Sequence, residues 1–544
     1  MALSDLKIWI PNPLEKIFKE DLPKKEQQVK KEIFLFSAKN EYESFQIALR
    51  SSVMLKNVRV EFSDLLNVSG SKISKENLKY NFVDYVPVNI DNSGLKEVVR
   101  ISPGEFPDPL LEDKSIDIPP QETKTIWFTI YVPPDVEEGK YKGEVKLLTN
   151  KGTFSIDLNL KVWNFILPNE SHMYLTNWIM SPSALSKFHR VKIWSSEFWN
   201  LVEMYAKNMK EHRQNVIITH LFELINFFTD ERGNLIFDYQ NFDKWVNIFL
   251  NNGVKLIEGS HLAGRVGTWN DPNLYSPLIK VRTKEGKIIF HSRILVGHSD
   301  FYKYIGNFLM SLRNHLKEKG WIDKFIIHLS DEPDSICAPS YKLLSKIVKD
   351  FFPEVRRIDA ATIPDIVGSI DVWVPLLSGN FSSFFLERQN FDEEVWWYTC
   401  CGPRDDKYPN RFIDYPLIKV RIIHWLNYKY NVKGYLHWGY NYYKDWTGSE
   451  FIDPWKENTA KMWPPGDPFI VYPGKNNKIL NSIRWEQIRE GIEDYEYLYL
   501  LDKKNPKVLQ KILSSILPNL TDYTRNPVDL LNMRQKIGEE IEKK

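Results

Sequence analysis

The stretch KFIIHLSDEPDS, residues 324–335, joins a short apolar run to two adjacent acids. Phe325 to Ile327 are apolar, as in a buried strand, and Asp331 and Glu332 follow just before a proline. Two neighbouring carboxylates are costly to keep ionised together, because each raises the pKa of the other. The pair is therefore either a working acid pair or the acidic start of the next helix, where the helix dipole stabilises negative charge.

Seven other segments repeat this pattern of a short apolar run, and helical patterns lie between most of them. The eight predicted strands are residues 173–180, 215–221, 255–262, 324–332, 356–362, 371–377, 394–400 and 434–441. Eight strand–helix units in about 300 residues favour a (β/α)8 barrel over an open, doubly wound sheet. The connection at 359–371 is too short for a full helix, so we expect one degenerate unit.

The segments on either side of the barrel have different patterns. Residues 1–165 alternate apolar and polar side chains, as in GEVKLLTNKGTFSIDLNLKVWNF (143–165), with Asn150 to Gly152 as a hairpin turn. They predict a β-sandwich. The tail is helical, and its charged face predicts an ion-pair network that docks the last helix. We therefore expect an α/β multidomain protein with a sandwich at 1–165, a barrel at 170–478 and a C-terminal helical segment at 479–544.

Composition narrows the classes of function. The 72 basic and 71 acidic residues nearly cancel, which argues against nucleic acid or an anionic membrane as partner. Cys337, Cys400 and Cys401 lack the spacing of a zinc ribbon or a disulfide framework. No long apolar segment or signal peptide is visible, so a cytoplasmic protein is expected. The many aromatic residues, 18 Trp and 26 Tyr among them, suit a pocket that stacks rings on sugars.

The C-terminal ends of barrel strands carry the active site in this architecture. Asp331 and Glu332 end the fourth predicted strand and are the catalytic candidates. Other polar or aromatic strand-end residues are candidates for binding a carbohydrate substrate: Asn177, His220, His261, Tyr398, Trp438 and Asn441. The histidines, with His328, lack the HxH or HExxH spacing of a metal site, so neither a metal nor another cofactor is expected.

Hydrolysis of a glycoside needs an acid for the leaving oxygen and a second group at C1. The seventh predicted strand ends in Tyr398, Thr399 and Cys400 and supplies no acid. This absence favours a substrate-assisted route, in which a 2-acetamido oxygen attacks C1. Asp331 then orients the acetamido group and Glu332 acts as general acid and base. A loop carboxylate, Asp405 or Asp406, paired with Glu332 is the alternative route, with a different sugar specificity.

Four blocks occur in one order: DEP, WWYTCCGP, NRFIDYPLIKVRIIHWLNYKYNVKGYLHWGYN and SIRWEQIREGIEDYEYL. In these blocks, within about residues 320–500, the chain resembles glycoside hydrolase family 123 and its relatives, the domain of unknown function numbered 4091. The resemblance implies an exo-acting, retaining β-N-acetylgalactosaminidase with Asp331 and Glu332 as its acid pair. It also implies pocket positions at Tyr398, Trp438 and Asn441. A non-catalytic carbohydrate-binding relative is the remaining alternative.

Overall fold

A computed structural model describes residues 6–24, 32–379, 381 and 383–543. The chain forms two compact units: Met173–Pro403 with Tyr430–Tyr442, and Met1–His172 with Arg404–Lys429 and Tyr443–Lys544. Compactness does not measure independent folding, so the boundaries 1–165, 170–478 and 479–544 stay a prediction.

The amino-terminal part of the second of these units consists of two sheets. Its strands are β1 (Leu6–Trp9), β2 (Glu32–Lys39), β3 (Glu41–Ser51), β4 (Leu55–Phe62), β5 (Leu65–Asn67), β6 (Lys72–Ile73), β7 (Leu78–Val88), β8 (Gly104–Leu111), β9 (Ile116–Ile118), β10 (Thr123–Val132), β11 (Gly139–Thr149) and β12 (Gly152–Ile166). One sheet has the order β1-β3-β10-β7-β8 and the other β2-β12-β11-β4-β9, with β5 beside β11.

One apolar core lies between these sheets. On β12, every second side chain from Ile156 to Val162 is buried in it, as expected for a strand with one face inward. Phe45 of β3 and Phe128 of β10 stack there with ring centroids 4.5 Å apart. The predicted hairpin is present, since Thr149 pairs with Gly152 across a two-residue turn. The predicted β-sandwich is confirmed.

The other unit contains eight parallel strands. They are β13 (Tyr174–Asn177), β14 (Val216–Thr219), β17 (Leu256–Gly259), β20 (Phe325–His328), β21 (Arg356–Asp359), β22 (Val372–Trp373), β23 (Glu394–Tyr398) and β24 (Gly434–His437). Their order is β13-β24-β23-β22-β21-β20-β17-β14. Each strand lies inside a segment predicted from the sequence, and the predicted eight-stranded barrel is confirmed.

Side chains complete the ring between the two end strands, β13 and β14. The Asn215 side chain accepts a hydrogen bond from Leu175 N and donates one to Met173 O, both at 2.9 Å. Gln214 Nε2 donates to Asn177 O at 3.1 Å. These amides satisfy the backbone groups of β13 in place of a neighbouring strand, so the barrel is nearly closed.

Helices follow most barrel strands. They are α1 (Pro182–His189), α2 (Ser196–Glu211), α3 (Leu221–Leu224), α4 (Gln240–Asn251), α5 (Ser299–Phe301), α6 (Asn307–Lys319), α7 (Ala338–Phe351) and α8 (Ser383–Arg388). A π-helical turn, Tyr302–Gly306, joins α5 to α6. Between β21 and β22 only a 3-10 turn, Pro364–Ile366, is present, which confirms the degenerate unit.

Two excursions leave the carboxyl ends of β14 and β17. They contain β15 (Asn226–Thr229) with β16 (Leu235–Asp238), and β18 (Ile279–Arg282) with β19 (Ile288–His291). The four strands form one small sheet in the order β16-β15-β18-β19. Because both excursions start at the ends of barrel strands that carry the candidate site, they belong to the same side of the barrel.

The remaining elements belong to the unit that contains the sandwich. They are α9 (Leu417–Lys429), β25 (Tyr472–Pro473), β26 (Ile479–Leu480), α10 (Ile483–Lys504), α11 (Pro506–Ile516) and α12 (Pro527–Glu542). The predicted ion-pair network is present: buried Asp494 of α10 accepts from Arg421 of α9 and from Arg534 of α12, with distances of 2.6 to 2.8 Å. Of the helices in the described residues, none is both long and apolar enough to cross a membrane.

Candidate active site

Alternation along the barrel strands places polar groups above an apolar layer. Leu256 and Glu258 are two residues apart on β17, and Ile326 and His328 are two apart on β20, so each pair points to one side. Leu256 and Ile326 pack in one buried cluster. Glu258 and His328, one step nearer the carboxyl ends, are also fully buried. The barrel therefore changes from apolar to charged towards its catalytic end.

His328 lies between two buried carboxylates. Its Nδ1 is 2.9 Å from Asp359 Oδ1, and its Nε2 is 2.6 Å from Glu258 Oε1. Burial alone would lower the pKa of His328, but the hydrogen bonds to Asp359 and Glu258 outweigh this effect and raise the pKa to about 10. At neutral pH the ring is therefore an imidazolium that donates through both nitrogens.

The other oxygens of these two carboxylates are also occupied. Glu258 accepts from Thr176 Oγ1 at 2.6 Å and from Trp178 Nε1 at 2.9 Å, which ties β17 to β13. Its carboxylate thus has a partner for each oxygen. A buried ion network costs little only when its lone pairs are satisfied in this way.

Asp359 connects the network to the backbone that precedes the acid pair. Its Oδ2 accepts from Leu329 N at 3.1 Å, Ser330 N at 3.2 Å and the Tyr341 hydroxyl at 2.6 Å. β20 ends at His328, so these two amides bond to a side chain of the next strand instead of continuing a ladder. The course of the chain into Asp331 is fixed by this contact.

Arg265 holds the acid pair from the other side. Its guanidinium donates to Asp331 O at 3.2 Å, to Glu332 O at 2.6 Å and to Asp334 Oδ2 at 2.9 Å. The side chain is only 7% exposed and lies over the Trp269 ring. Glu332 has φ of +41°, a left-handed conformation that costs a non-glycine residue about 1–3 kcal/mol and is concentrated at functional sites. Arg265 offsets this cost through the two carbonyls.

The two carboxyl groups themselves differ in their surroundings. Glu332 is half-buried and accepts a 2.5 Å hydrogen bond from the Tyr398 hydroxyl. Burial and the Asp331 charge raise the pKa of Glu332, although the Tyr398 bond opposes them. Burial of the carboxyl group also raises the pKa of Asp331, although the positive charges of His328 and Arg265 lower it in part. Because 54% of the Asp331 side chain is exposed, solvent screens this effect.

Helix capping is carried out by a different residue. Asp334 Oδ1 accepts from Ile336 N at 3.0 Å and from Cys337 N at 2.9 Å, immediately before α7 begins at Ala338. The acidic-start interpretation therefore applies to Asp334. Asp331 and Glu332 do not have this function among the contacts of the described residues.

His261 lies beside Asp331. Its Nε2 is 4.0 Å from Asp331 Oδ1 and 3.9 Å from Asp359 Oδ1, too far for a hydrogen bond to either. This nitrogen is buried and has no partner among the described residues. Burial and the neighbouring cationic His328 lower the pKa of His261 to about 4, so the ring is neutral at pH 7. The predicted role of His261 in sugar binding stays a prediction.

One group of side chains could be considered for a metal. His261, His328 and Asp359 offer ligand atoms within 4.8 Å of one another. Both nitrogens of His328 are already bonded to carboxylates, so a metal would have to displace one of these bonds. The donor set does not suit a resident metal, and the prediction that the protein needs none stays a prediction.

Comparison with known proteins identifies the family. The model of the glycoside hydrolase 123 catalytic domain matches residues 178–501, more than half of the chain, and the model of the glycoside hydrolase 123 N-terminal domain matches residues 15–149. The chain belongs to glycoside hydrolase family 123. It is therefore a glycosidase, as the resemblance in the sequence implied. A search of curated proteins found no significant match.

A solved structure has the same fold as this family 123 glycosidase. A family 123 glycoside hydrolase from Clostridium perfringens, described in connection with glycolipid glycan hydrolysis, has a TM-score of 0.76 at 19% identity and covers 99% of this chain and 97% of its own. A β-glucuronidase from Parabacteroides merdae has a TM-score of 0.32 at 11% identity, covering 91% of this chain and 52% of its own. At that score we draw nothing from the second match.

The other candidate residues of the family 123 glycosidase lie in varied surroundings. Asn177 is fully buried and bonds Gln214 Oε1 at 3.1 Å, between β13 and β14. Asn441 is also fully buried, and its Oδ1 accepts from Met180 N at 2.9 Å. Both side chains are buried and hydrogen-bonded within the protein, and their assignment to sugar binding stays a prediction.

His220 and Trp438 are less buried. His220 Nε2 is 3.0 Å from Ile179 O, and burial lowers the pKa of this ring. Trp438 is partly exposed, with its ring 5.1 Å from that of Tyr442. The assignment of both residues to sugar binding stays a prediction.

The alternative loop carboxylates belong to the sandwich unit. Asp405 Oδ1 accepts from Lys407 N and Tyr408 N, both at 2.8 Å. Asp406 Oδ1 accepts from Lys96 N at 2.8 Å and from Glu97 N at 2.7 Å. Asp405 thus stabilises its own loop, and Asp406 holds the loop at Lys96 and Glu97.

Sequence reasoning missed most of the residues that support the acid pair: Thr176, Glu258, Arg265, Tyr341 and Asp359. Two of them carried a signal. Glu258 is a lone acid inside the apolar run KLIEGSHL, and Asp359 ends the segment RRID. Both are informative because a charge inside a buried strand needs a partner. Arg265, in a loop 66 residues before Asp331, and Tyr341, in the helix that follows the acid pair, have no comparable signal.

Proposed function

We propose that this glycosidase removes a terminal 2-acetamido sugar, of the N-acetylgalactosaminide type, by a retaining and substrate-assisted mechanism. The observation that supports it most is the contrast within the acid pair. Glu332 is bonded to Tyr398, whereas Asp331 is open to the solvent in the site. Both have raised pKa values. β23 begins at Glu394 and ends at Tyr398, so it adds no second carboxylate at its carboxyl end.

The first step uses the proton of Glu332. A raised pKa keeps this acid protonated nearer to neutral pH, as a general acid requires. It protonates the glycosidic oxygen while the acetamido carbonyl oxygen attacks C1, so the C1–oxygen bond to the leaving group breaks and a cyclic oxazolinium ion forms. Asp331 accepts the acetamido N–H and stabilises the positive charge that develops on it.

The second step regenerates the enzyme. Glu332, now a carboxylate, removes a proton from water, whose oxygen attacks C1 and reopens the ring. The anomeric configuration is retained because C1 is inverted twice. The two adjacent carboxyl groups are sufficient, since the substrate supplies the nucleophile.

Two neighbours support these roles. The neutral ring of His261 lies beside Asp331, with Nε2 4.0 Å from Asp331 Oδ1, and 26% of its side chain is exposed towards a ligand. The relative from Clostridium perfringens is described for glycolipid glycan hydrolysis, which agrees with a carbohydrate as substrate here. A cytoplasmic location and independence of cofactors remain predictions from the sequence.

A panel of aryl β-glycosides tests the proposal. We expect hydrolysis of 2-acetamido substrates and loss of turnover, with binding retained, for Glu332→Gln. Asp331→Asn should be severe for acetamido substrates only. Glu318→Gln and Asp323→Asn, both at exposed positions near the site in sequence, are the matched controls. Unchanged turnover in Glu332→Gln would remove that residue from the mechanism.

A thiazoline that mimics the oxazolinium ion separates the mechanisms. Tight competitive inhibition supports the assisted route, because the compound resembles the charged intermediate. Hydrolysis without such inhibition would favour a glycosidase with a separate loop carboxylate such as Asp405 or Asp406. Binding of sugars with no turnover across the whole panel would favour a carbohydrate-binding relative.

A further inference from the structure

Two adjacent thiols follow the strand that carries Tyr398. The Sγ atoms of Cys400 and Cys401 are 3.8 Å apart, and Cys401 is exposed. Cys400 N–H donates to Gly402 O at 2.9 Å, so both cysteines lie in one tight turn at the end of β23. Neither residue has a part in the mechanism above.

This turn is close to the catalytic acid. Tyr398, two residues before Cys400, donates directly to Glu332. The Glu332 charge also raises the pKa of the Cys401 thiol. The Cys400 thiol in turn raises the pKa of Tyr398. A change in the turn therefore reaches the hydrogen bond that Glu332 accepts.

We propose that Cys400 and Cys401 form a thiol-oxidation site, which a small disulfide such as oxidised glutathione converts into a vicinal disulfide that lowers hydrolysis. The Cys401 thiolate attacks one sulfur of the small disulfide and releases one small thiolate. The Cys400 thiolate then attacks Cys401 Sγ and releases the second. The protein loses two protons and two electrons, and the small disulfide is reduced to two thiols.

Reactivity and reach agree with this chemistry. The hydrogen bond from Cys400 lowers the pKa of Cys401 to about 7, so a large share is thiolate at neutral pH. A disulfide has a sulfur–sulfur distance of about 2.05 Å, so the two atoms must approach by roughly 1.7 Å. Because the two residues are adjacent, the backbone of the turn must rearrange to let the sulfur atoms bond. Tyr398 precedes this turn by two residues.

The third cysteine gives an internal control. Cys337 is buried, and burial raises the pKa of its thiol. A buried thiol of raised pKa reacts slowly. Cys337→Ser should therefore still lose two hydrogens on oxidation, whereas Cys401→Ser should not react at this turn and Cys400→Ser should stop at a glutathione adduct on Cys401.

The experiment treats the full chain with oxidised glutathione and follows both peptide mass and activity. We expect the peptide containing Cys400 and Cys401 to lose two hydrogens, with a matching loss of most of the kcat/KM for a 2-acetamido aryl glycoside. Dithiothreitol should restore both. The activity readout rests on the proposed function, while the mass readout does not.

Three results would overturn this site. One is a stable glutathione adduct on Cys401 with no internal disulfide. Another is disulfide formation that leaves kcat/KM unchanged. The third is a loss of kcat/KM in oxidised Cys400→Ser equal to that in the wild type, since the single thiol that remains cannot form the vicinal disulfide. A chain that forms the disulfide but hydrolyses none of the glycosides would instead count against the proposed function alone.

Discussion

Replacement of His328 by glutamine probes the charge network beneath the acid pair. His328 is fully buried and bonded to Glu258 and Asp359. Glutamine removes the positive charge and leaves two buried carboxylates without it. Breaking a buried ion pair in this way typically costs about 3–5 kcal/mol. We expect His328→Gln to destabilise the barrel unit at pH 7 by an amount in this range.

The pKa of His328 gives an independent magnitude and a pH window. The rise from 6.5 to about 10 corresponds to about 5 kcal/mol of stabilisation. Because the pKa in the folded state lies above the unfolded value, this stabilisation is fully present below about pH 6.5 and is lost as the pH rises towards 10. Between pH 7 and 9 the wild type should therefore lose about 2–3 kcal/mol from this group.

Urea unfolding at several pH values between 6 and 9 measures the effect. Because the chain has two compact units, hydrogen exchange of peptides that cover residues 325–330 assigns the transition to the barrel. His298→Gln, which replaces an exposed histidine beside exposed Asp300, is the matched control. Equal pH dependence in the wild type and His328→Gln would refute the reasoning, because it would mean that His328 is not charged in the folded protein.

Two further substitutions test the contacts of the acid pair. Tyr398→Phe removes a hydrogen bond that lowers the pKa of Glu332, so the alkaline limb of the pH profile of kcat/KM should move to higher pH. Exposed Tyr302→Phe is the control, and a move to lower pH would contradict the assignment. Arg265→Lys loses the guanidinium nitrogen that donates to the carbonyls of both Asp331 and Glu332. We expect kcat to fall about 10–100-fold with little change in KM. An unchanged kcat would show that Glu332 does not need this support.

The fold was largely predictable because its signals are local. Short apolar runs between helical patterns located all eight strands, and alternation located the sandwich. The exact ends of the strands were harder to predict. β20 stops at His328, three residues before Asp331, because Asp359 takes the amides of Leu329 and Ser330. That contact joins residues about thirty positions apart, and no local pattern encodes it.

The contacts of the candidate site were predictable only in part. Asp331 and Glu332 were predicted as a pair from two adjacent acids at a strand end, and Tyr398, predicted as a sugar-binding residue at the end of β23, bonds Glu332 in the structure. Asn177 and Asn441 also lie at or just beyond the ends of barrel strands, yet both are buried. Neighbouring side chains bury some strand ends and leave others exposed. The sequence does not show which ends are buried, because this depends on how the barrel closes.

A series of aryl 2-acetamido glycosides with none, one, two or three fluorines on the acetyl methyl group tests the central claim most directly. Fluorine withdraws electrons and weakens the carbonyl oxygen as a nucleophile, while the leaving group and the bond to be broken stay the same. If the acetamido group attacks C1 with Asp331 and Glu332 in the proposed roles, kcat/KM should fall steeply with each added fluorine. Values of kcat/KM that stay level across the series would contradict the substrate-assisted mechanism.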